Sequence, residues 1–432
     1  MSQEPQSFKS RLKESIKHNP IYTKAIRPLR VKLNALIESR LTDEEYFLRR
    51  HKKIFGYTPD FRNPQTFNEK IIHRILFDRS PVYTALADKL KARIYIAATL
   101  YPLYENAIRG GAECNASLDS SLDSSAQPTI QALAKLNLLE PSSPLFAPID
   151  SLGSTLLATN ICPYLPKLYG IYKSFDEIDF TSLPTSFAIK TNHDCGGVVL
   201  VPDKQEFLRD QARFEAARSK IQSHLATNFY TLFREWHYKD IEPRVFIEEL
   251  LGASSPANTA PNAESSTDSS TKTFENDDFH NKIAQQKGLD SSSAKVDSRY
   301  VADSTSPQPL ESTFAYKAPD DYKFHCFGGQ IFIQVDTERF TSHTRTMFDT
   351  EWNALEVVYY YPLPSTTPTK PQNLPTMLDI ARLLSGGFNF VRVDLYSICG
   401  AIVVGELTMT PEGGTGHFTP NEWDKKLGDL WH

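Results

Sequence analysis

The sequence predicts an α+β protein with an N-terminal helical region and two low-complexity insertions. Capping signals followed by apolar residues at helical spacing occupy residues 41–103. Alternating and β-branched strand patterns occupy residues 161–252 and 316–432. Ser/Asp-rich stretches fill residues 104–160 and 253–315, and they carry too little apolar surface to offset the entropy of ordering the chain. We therefore expect both insertions to be loosely attached and removable without unfolding the protein.

The composition is that of a folded protein without a strong charge bias. A chain of 432 residues exceeds what one core normally supports, so two or three domains are expected. The formal net charge of −5 gives no general electrostatic basis for binding nucleic acid. The five cysteines are scattered and lack CxxC spacing. This pattern favours a reduced, cytoplasmic protein over a disulfide framework or a zinc site.

Residues 1–40 predict a basic amphipathic leader, in which cations alternate with apolar residues. Two roles stay open for it: a solvated or partner-binding helix, or peripheral contact with an anionic membrane surface at the inner face of the membrane. We expect neither a signal peptide nor a membrane-spanning helix, because no apolar run is long enough.

Three helix starts follow the leader. The capping boxes Thr42–Glu45 and Thr66–Glu69 predict the first two helices, and Gly56 is placed to end the first. The dipeptide Ser80–Pro81 predicts a third helix that continues through ADKLKAR, residues 87–93. That basic run suits either an acidic substrate or a solvated helix face.

Residues 186–201 predict a hairpin with a glycine-bearing loop. Lys190 ends the first strand and enters the loop Thr191–Gly197. The lysine precedes the glycines, so the segment is not a Walker A loop. A lysine beside the backbone N–H groups of such a loop suits an α- or β-phosphate, although ordinary turn chemistry also explains the glycines.

The next elements are a helix over residues 204–226 and a strand, Arg244–Glu249, that ends in two glutamates. A hairpin follows that turns at Gly328 and Gly329 and carries Asp321 and Lys323 on its first strand.

The stretch Phe390–Gly416 contains a charged hairpin. Arg392 and Asp394 alternate with apolar residues on its first strand, and Glu406 lies on its second. A three-residue loop ending at a left-handed Gly400 would place all three charges on one face, whereas a four-residue loop would send Glu406 to the other face. Such a group suits a divalent cation and phosphate, and a solvated hairpin is the alternative.

The order of these motifs resembles the ATP-grasp superfamily and, more closely, its TupA-like branch, named for teichuronopeptide biosynthesis. The resemblance covers residues 42–98, 161–252 and 316–432. It rests on NPQTFNEKI, ADKLKAR, DYKFHCFGG, FVRVDLY, GELT and the terminal FTPNEWDKKLGDLW. It implies two α+β lobes that hold ATP between them, preceded by an extra domain.

The resemblance also implies roles for single residues. The nucleotide would contact the phosphate lysine Lys190, the loop residues Asn192, Gly196 and Gly197, the hinge residues Glu248, Glu249 and Leu250, and the ribose-binding Asp321. The catalytic residues would be Lys190, Lys323 and Arg392, with Arg392 meeting the transferred phosphoryl group. Mg2+ would be held by Asp394, Glu406 and Thr408. Many superfamily members have Asn in place of Thr408, so coordination of two metal ions stays open.

The implied activity is that of a carboxylate–amine ligase that uses ATP and forms an acyl phosphate. Its partners would be a carboxylate-bearing sugar or glycan of a cell-surface polysaccharide, as acceptor, and an amine or amino acid. Two other classes stay open: a glycosyltransferase or ATP-dependent sugar kinase, and a non-catalytic scaffold of the cell envelope. A scaffold would not need Lys190, Arg392, Asp394 and Glu406 together. The sequence does not define the oligomeric state.

Overall fold

The computed structural model describes residues 33–34, 36–109, 125–252, 319–339 and 342–432. These residues fall into two compact units that meet in the sequence at Pro59 and Asp60. Nearly all of the predicted leader and the whole second insertion lie outside them. Among the described residues, no helix is long and apolar enough to cross a membrane.

The first unit contains helix α1, Asp43–Phe55. The predicted capping box is confirmed, since the Thr42 side chain accepts from the Glu45 N–H and the Glu45 carboxylate accepts from the Thr42 N–H. Gly56 ends the helix in the left-handed conformation, at φ 84°, as predicted.

The second unit begins with four helices: α2 Phe67–Phe77, α3 Pro81–Ala87, α4 Lys89–Thr99 and α5 Tyr101–Arg109. Thr66 caps α2 as predicted. The single helix predicted after Pro81 is wrong, because the chain breaks at Asp88. That residue is extended, and its carboxylate accepts the Leu90 N–H as the N-cap of α4.

The first insertion is packed where the structure describes it. Residues 125–160 form α6, Ala126–Leu133, and α7, Gly153–Ala158, joined by short 3-10 turns. Ile130, Leu145 and Leu156 are fully buried in the main apolar core. The expectation of a loose insertion is therefore wrong for this part. Successive turns bring its few apolar residues together in one core.

A four-stranded antiparallel sheet follows, in the order β1-β4-β2-β3. Its strands are β1 Leu168–Tyr172, β2 Phe187–Thr191, β3 Val198–Val201 and β4 Val245–Glu248. Helices α8 Lys204–Arg209, α9 Gln211–Leu225 and α10 Phe229–Phe233 lie between β3 and β4 in the sequence. Phe207 of α8 and Ile221 of α9 pack with Phe187 in a core of their own. Asp210 splits the one helix predicted here by capping α9.

A five-stranded antiparallel sheet, in the order β10-β9-β5-β6-β7, completes the architecture. Its strands are β5 Asp321–Phe327, β6 Gln330–Thr337, β7 Thr344–Phe348, β9 Val391–Ile398 and β10 Ala401–Thr408. Helix α11, Leu374–Leu384, belongs to the main core together with Phe324 and Val393 from the apolar face of this sheet. Strands β8, Val358–Tyr359, and β11, Phe418–Thr419, pair in a small two-stranded sheet. Helix α12, Glu422–Leu430, follows β11.

Candidate active site

The β9–β10 hairpin has a two-residue turn instead of the predicted three-residue loop. Cys399 and Gly400 form this turn with φ values of 50° and 88°, so the left-handed Gly400 is confirmed and the loop length is wrong. The turn by itself would place Glu406 opposite Val393, on the apolar face, because neighbouring side chains in a strand alternate between faces.

A β-bulge at Gly405 restores the shared face. The register shifts by one residue between Val404 and Glu406, so that Glu406 pairs with Asp394 and Thr408 pairs with Arg392. The two carboxylates and the arginine therefore lie on one face, as predicted, through a feature that the sequence pattern did not predict.

Arg392 is at the centre of the charges on this face. Its Nε donates to Asp394 Oδ1 at 2.7 Å and its Nη2 donates to Asp394 Oδ2 at 2.8 Å. The same Nη2 lies 3.3 Å from Glu406 Oε1 and 3.0 Å from Thr408 Oγ1. The Asp394 side chain is 2% exposed, whereas the Glu406 side chain is 46% exposed. Glu406 is therefore the carboxylate of this hairpin that reaches solvent.

Lys323 of β5 joins the same network. Its Nζ lies 2.6 Å from Asp394 Oδ2 and 2.6 Å from Asp321 Oδ2. Burial by itself would lower the pKa of Lys323, but the two carboxylates raise it above its ordinary value. Burial would likewise raise the pKa of Asp394, but Arg392 and Lys323 hold it below its ordinary value. Lys323 and Asp394 are thus both charged at neutral pH.

Lys190 lies on the four-stranded sheet and pairs with Glu248. Its Nζ is 2.5 Å from Glu248 Oε1, and the other oxygen of Glu248 is 3.3 Å from Arg93 Nη1. Burial by itself would lower the pKa of Lys190, but the charges of Glu248 and Glu406 raise it. Glu406 belongs to the other sheet, so Lys190 and the charged hairpin lie within electrostatic range of each other.

Asn192 is fully buried and supports the loop from within. Its Nδ2 donates to Asp88 Oδ1 at 3.0 Å and to the Glu242 carbonyl at 3.1 Å, and its Oδ1 accepts from the Arg244 N–H at 2.7 Å. Its backbone N–H donates to the Arg244 carbonyl at 3.1 Å. The side-chain amide is thus bonded to described residues at both its nitrogen and its oxygen, and a contact of Asn192 with the nucleotide stays a prediction.

The two glycines of the loop are required for different reasons. Gly196 has a φ of 90° and is exposed at the tip. A Cβ on Gly197 would lie 1.8 Å from Thr191 Oγ1, so no larger residue fits there. Behind the tip, buried Asp194 accepts from His224 Nδ1 at 2.5 Å. The base of the loop is therefore rigidly held, and its tip faces solvent.

The predicted hinge follows β4. Leu250 is buried, and Glu249 is tied to Lys167, whose carbonyl accepts the Glu249 N–H at 2.8 Å. The Glu248 side chain points to Lys190 and Arg93. A contact of these hinge residues with adenine stays a prediction. The same holds for Asp321 and ribose, although Asp321 Oδ1 is buried and has no hydrogen-bond partner among the residues that the structure describes.

The donor set fits a Mg2+ ion that binds together with phosphate. Within the described ranges, no group of three or more His, Cys, Asp or Glu side chains could hold a metal ion by itself. Mg2+ is commonly held by one or two carboxylates plus substrate phosphates and water. Asp394 and Glu406 lie on one face. Both Asp394 oxygens accept hydrogen bonds from Arg392 and Lys323, so the exposed Glu406 is the carboxylate open to such an ion, and Asp394 would have to share its oxygens with it. The Thr408 hydroxyl lies 3.0 Å from Glu406 Oε1 and orients that carboxylate.

Three contributors were missed at the sequence level. Arg339 Nη1 lies 2.7 Å from Asp321 Oδ2, Arg93 pairs with Glu248, and Lys89 bonds to the glycine-bearing loop. Lys89 and Arg93 both belong to ADKLKAR. The basic run indicated that these cations have acidic or carbonyl partners. The sequence could not identify those partners, because they lie about 70 to 155 residues away.

A family model described as TupA-like ATPgrasp matches residues 161–258 and 279–432. The match contains both sheets and every predicted site residue, and it spans more than half of the chain. A search of the curated proteins found no match, and neither did a search of the solved structures. The predicted α+β, ATP-grasp fold is thereby confirmed, and this fold generally binds ATP and Mg2+. The chain belongs to the TupA-like ATP-grasp family.

Proposed function

We propose that this ATP-grasp enzyme is a carboxylate–amine ligase, which joins a carboxylate-bearing sugar or glycan of a cell-surface polysaccharide to an amine or amino acid. The observation that supports this proposal is the convergence of three cations with two carboxylates. Lys323 and Arg392 both pair with Asp394 on the five-stranded sheet. Glu406 is exposed beside them, and Lys190 of the four-stranded sheet lies within electrostatic range of Glu406.

The proposed reaction has two steps. A carboxylate oxygen of the acceptor attacks the γ-phosphorus of ATP, the bond to the β,γ-bridging oxygen breaks, and ADP leaves with that electron pair. The amine nitrogen then attacks the acyl carbon, the bond to the phosphate oxygen breaks, and inorganic phosphate leaves. The amine proton passes to solvent.

The residues would assist by compensating charge, because the acceptor carboxylate and the triphosphate repel each other. Lys190 and Arg392 supply positive charge from opposite sides of the site. Lys323 is fixed between Asp321 and Asp394, so its ammonium is already oriented before substrates bind. A Mg2+ ion, when bound by Asp394 and Glu406, would screen the charge of the β- and γ-phosphates.

The proposal is tested by ADP release with purified protein, MgATP and a uronic-acid oligosaccharide, with and without an amine. Hydroxylamine serves as a second nucleophile, because it traps an acyl phosphate as a stable hydroxamate. A ligase should release ADP and form hydroxamate only when the carboxylate acceptor is present. ADP release with a stable phosphorylated sugar and no hydroxamate would indicate a sugar kinase instead. No ADP release with any acceptor would favour a scaffold.

A further inference from the structure

Helix α4 begins directly against the glycine-bearing loop. The Lys89 ammonium donates to the Thr191 carbonyl at 3.2 Å and also to the Asp194 carbonyl, and the Lys89 N–H donates to the Asn192 carbonyl at 3.1 Å. One lysine therefore binds three carbonyls over four consecutive loop residues. Lys89 is half-buried, so this ammonium is partly removed from water.

The direction of these bonds determines what the loop presents on its other side. In a trans peptide unit the C=O and the N–H point in opposite directions. The Asp194 carbonyl points to Lys89, so the N–H of Cys195 points away from it. No group in the described part of the chain accepts a hydrogen bond from this N–H. The Cys195 thiol lies within electrostatic range of Glu406, so this end of the loop lies near the charged hairpin.

The adjacent Asp88 supports the same arrangement. Its buried carboxylate caps α4 at the Leu90 N–H and accepts from Asn192 Nδ2 at 3.0 Å. At the start of α4, Lys89 therefore binds the loop carbonyls, and Asp88 binds the buried side-chain amide of Asn192. The loop cannot move independently of α4 while these bonds persist.

We propose that Lys89 is a positioning residue of the nucleotide site: it binds the loop carbonyls on one side, so that the N–H of Cys195 on the other side faces the phosphates of ATP. This inference rests on the proposed function. Lys89 acts without contacting the nucleotide. Its positive charge lies at the carbonyl ends of the loop peptides and so strengthens the positive potential at their N–H ends. The helical region thus takes part in ATP binding, beyond any role it has in binding the acceptor.

The test compares Lys89→Met with Lys91→Met in the full-length protein. Lys91 lies on the same helix and is also half-buried, but its ammonium makes no hydrogen bond to any residue that the structure describes. Without nucleotide, hydrogen–deuterium exchange of amides 192–197 should rise about tenfold in Lys89→Met and stay unchanged in Lys91→Met. The dissociation constant for MgATP, measured by calorimetry, should rise about ten- to hundredfold in Lys89→Met alone.

Lys89→Arg should restore most of the affinity, since a guanidinium can also donate to two carbonyls. Lys89→Gln, which keeps two donors without the charge, should fall between wild type and Lys89→Met, and it replaces Lys89→Met if that variant does not fold. Equal exchange and equal MgATP affinity in the Lys89 and Lys91 variants would overturn this inference while leaving the proposed function intact. Absence of MgATP binding in the wild-type protein would overturn both.

Discussion

The two sheets carry their charges in different ways. On the five-stranded sheet, Lys323, Arg392 and Asp394 bind one another, and their side chains are only 10%, 8% and 2% exposed. On the four-stranded sheet, the Lys190 side chain is 29% exposed and pairs with Glu248. The first arrangement is oriented before any substrate binds, whereas the second leaves a cation and loop N–H groups accessible to an incoming anion. We therefore expect substitutions on the five-stranded sheet to affect both stability and turnover, and those on the four-stranded sheet to affect mainly nucleotide affinity.

The largest effect should come from Asp394→Asn. The amide leaves Arg392 and Lys323 without their shared counter-ion, and breaking a buried ion pair costs about 3–5 kcal/mol. Loss of a preorganised charge should also lower ATP turnover by about 10²-fold or more. Urea unfolding and ADP release measure the two quantities. Asp379→Asn is the control, because that carboxylate is 63% exposed on α11.

Glu406→Gln separates the two effects. Its side chain is 46% exposed, so we expect a comparable loss of turnover with an unfolding free energy close to wild type. Equal destabilisation by Asp394→Asn and Glu406→Gln would contradict the difference in burial from which this comparison starts.

The core behind the five-stranded sheet includes the segment that was expected to be loose. Leu156 of α7 is fully buried in it, and the adjacent Leu157 is 50% exposed. Leu156→Ala should lower the unfolding free energy by about 2–5 kcal/mol, because it leaves a cavity. Leu157→Ala should change it by no more than about 0.5 kcal/mol. A small effect of both substitutions would show that residues 126–160 contribute little to stability.

On the four-stranded sheet, Lys190→Met should raise the dissociation constant for MgATP about ten- to hundredfold. The melting temperature without nucleotide should change little, because Arg93 still compensates the charge of Glu248. Lys173→Met is the matched control, since Lys173 follows β1 and its side chain is 64% exposed. An unchanged MgATP affinity in Lys190→Met would remove the main support for placing the phosphates at this sheet.

Local features were predictable from the sequence, and features that depend on distant partners were not. The capping boxes at Thr42 and Thr66 require only residues three apart, and both are confirmed. The bulge at Gly405 was missed, because a strand pattern does not show where an extra residue interrupts pairing. Arg93 and Glu248 are far apart in the sequence, and only the packing of α4 against the four-stranded sheet joins them.

Buried histidines near both the five-stranded and the four-stranded sheet should make the unfolding free energy depend on pH. Burial lowers the pKa of His325, on β5, to about 3, and it lowers the pKa of His237, which precedes β4, to about 3 as well. An unfolded histidine has a pKa of about 6.5, so between these values the unfolded chain binds protons that the folded protein does not. The unfolding free energy should therefore fall as the pH is lowered, by about 2 kcal/mol per histidine between pH 7 and pH 5.

The Asp394 carboxylate contributes little in that window. The pKa of Asp394 is lowered, so its stabilisation is present above the unfolded value of about 3.9 and is lost only at more acidic pH. His325→Gln and His237→Gln should each reduce the difference between the unfolding free energies at pH 7 and at pH 5, measured by urea unfolding, by about 2 kcal/mol. If only one of the two substitutions reduced the pH dependence of the unfolding free energy, the effect would come from the region of that histidine alone.

The smallest effect is expected at the turn of the charged hairpin. Gly400 has a φ of 88°, and a Cβ added there would meet no atom of the described residues within 4 Å, so backbone strain is what opposes a side chain. Gly400→Ala should lower the unfolding free energy by about 1 kcal/mol and leave ADP release unchanged.

Gly405→Ala, in the same hairpin, differs because its Cβ would lie 2.8 Å from the ring of Tyr396 and 3.5 Å from the carbonyl of Asp394. That residue sits at the bulge that sets the position of Glu406, so even a small displacement should reduce turnover by about tenfold or more. If Gly405→Ala left turnover at the wild-type rate, the bulge would not be what aligns the two carboxylates, and the register of this hairpin would have no role in the reaction.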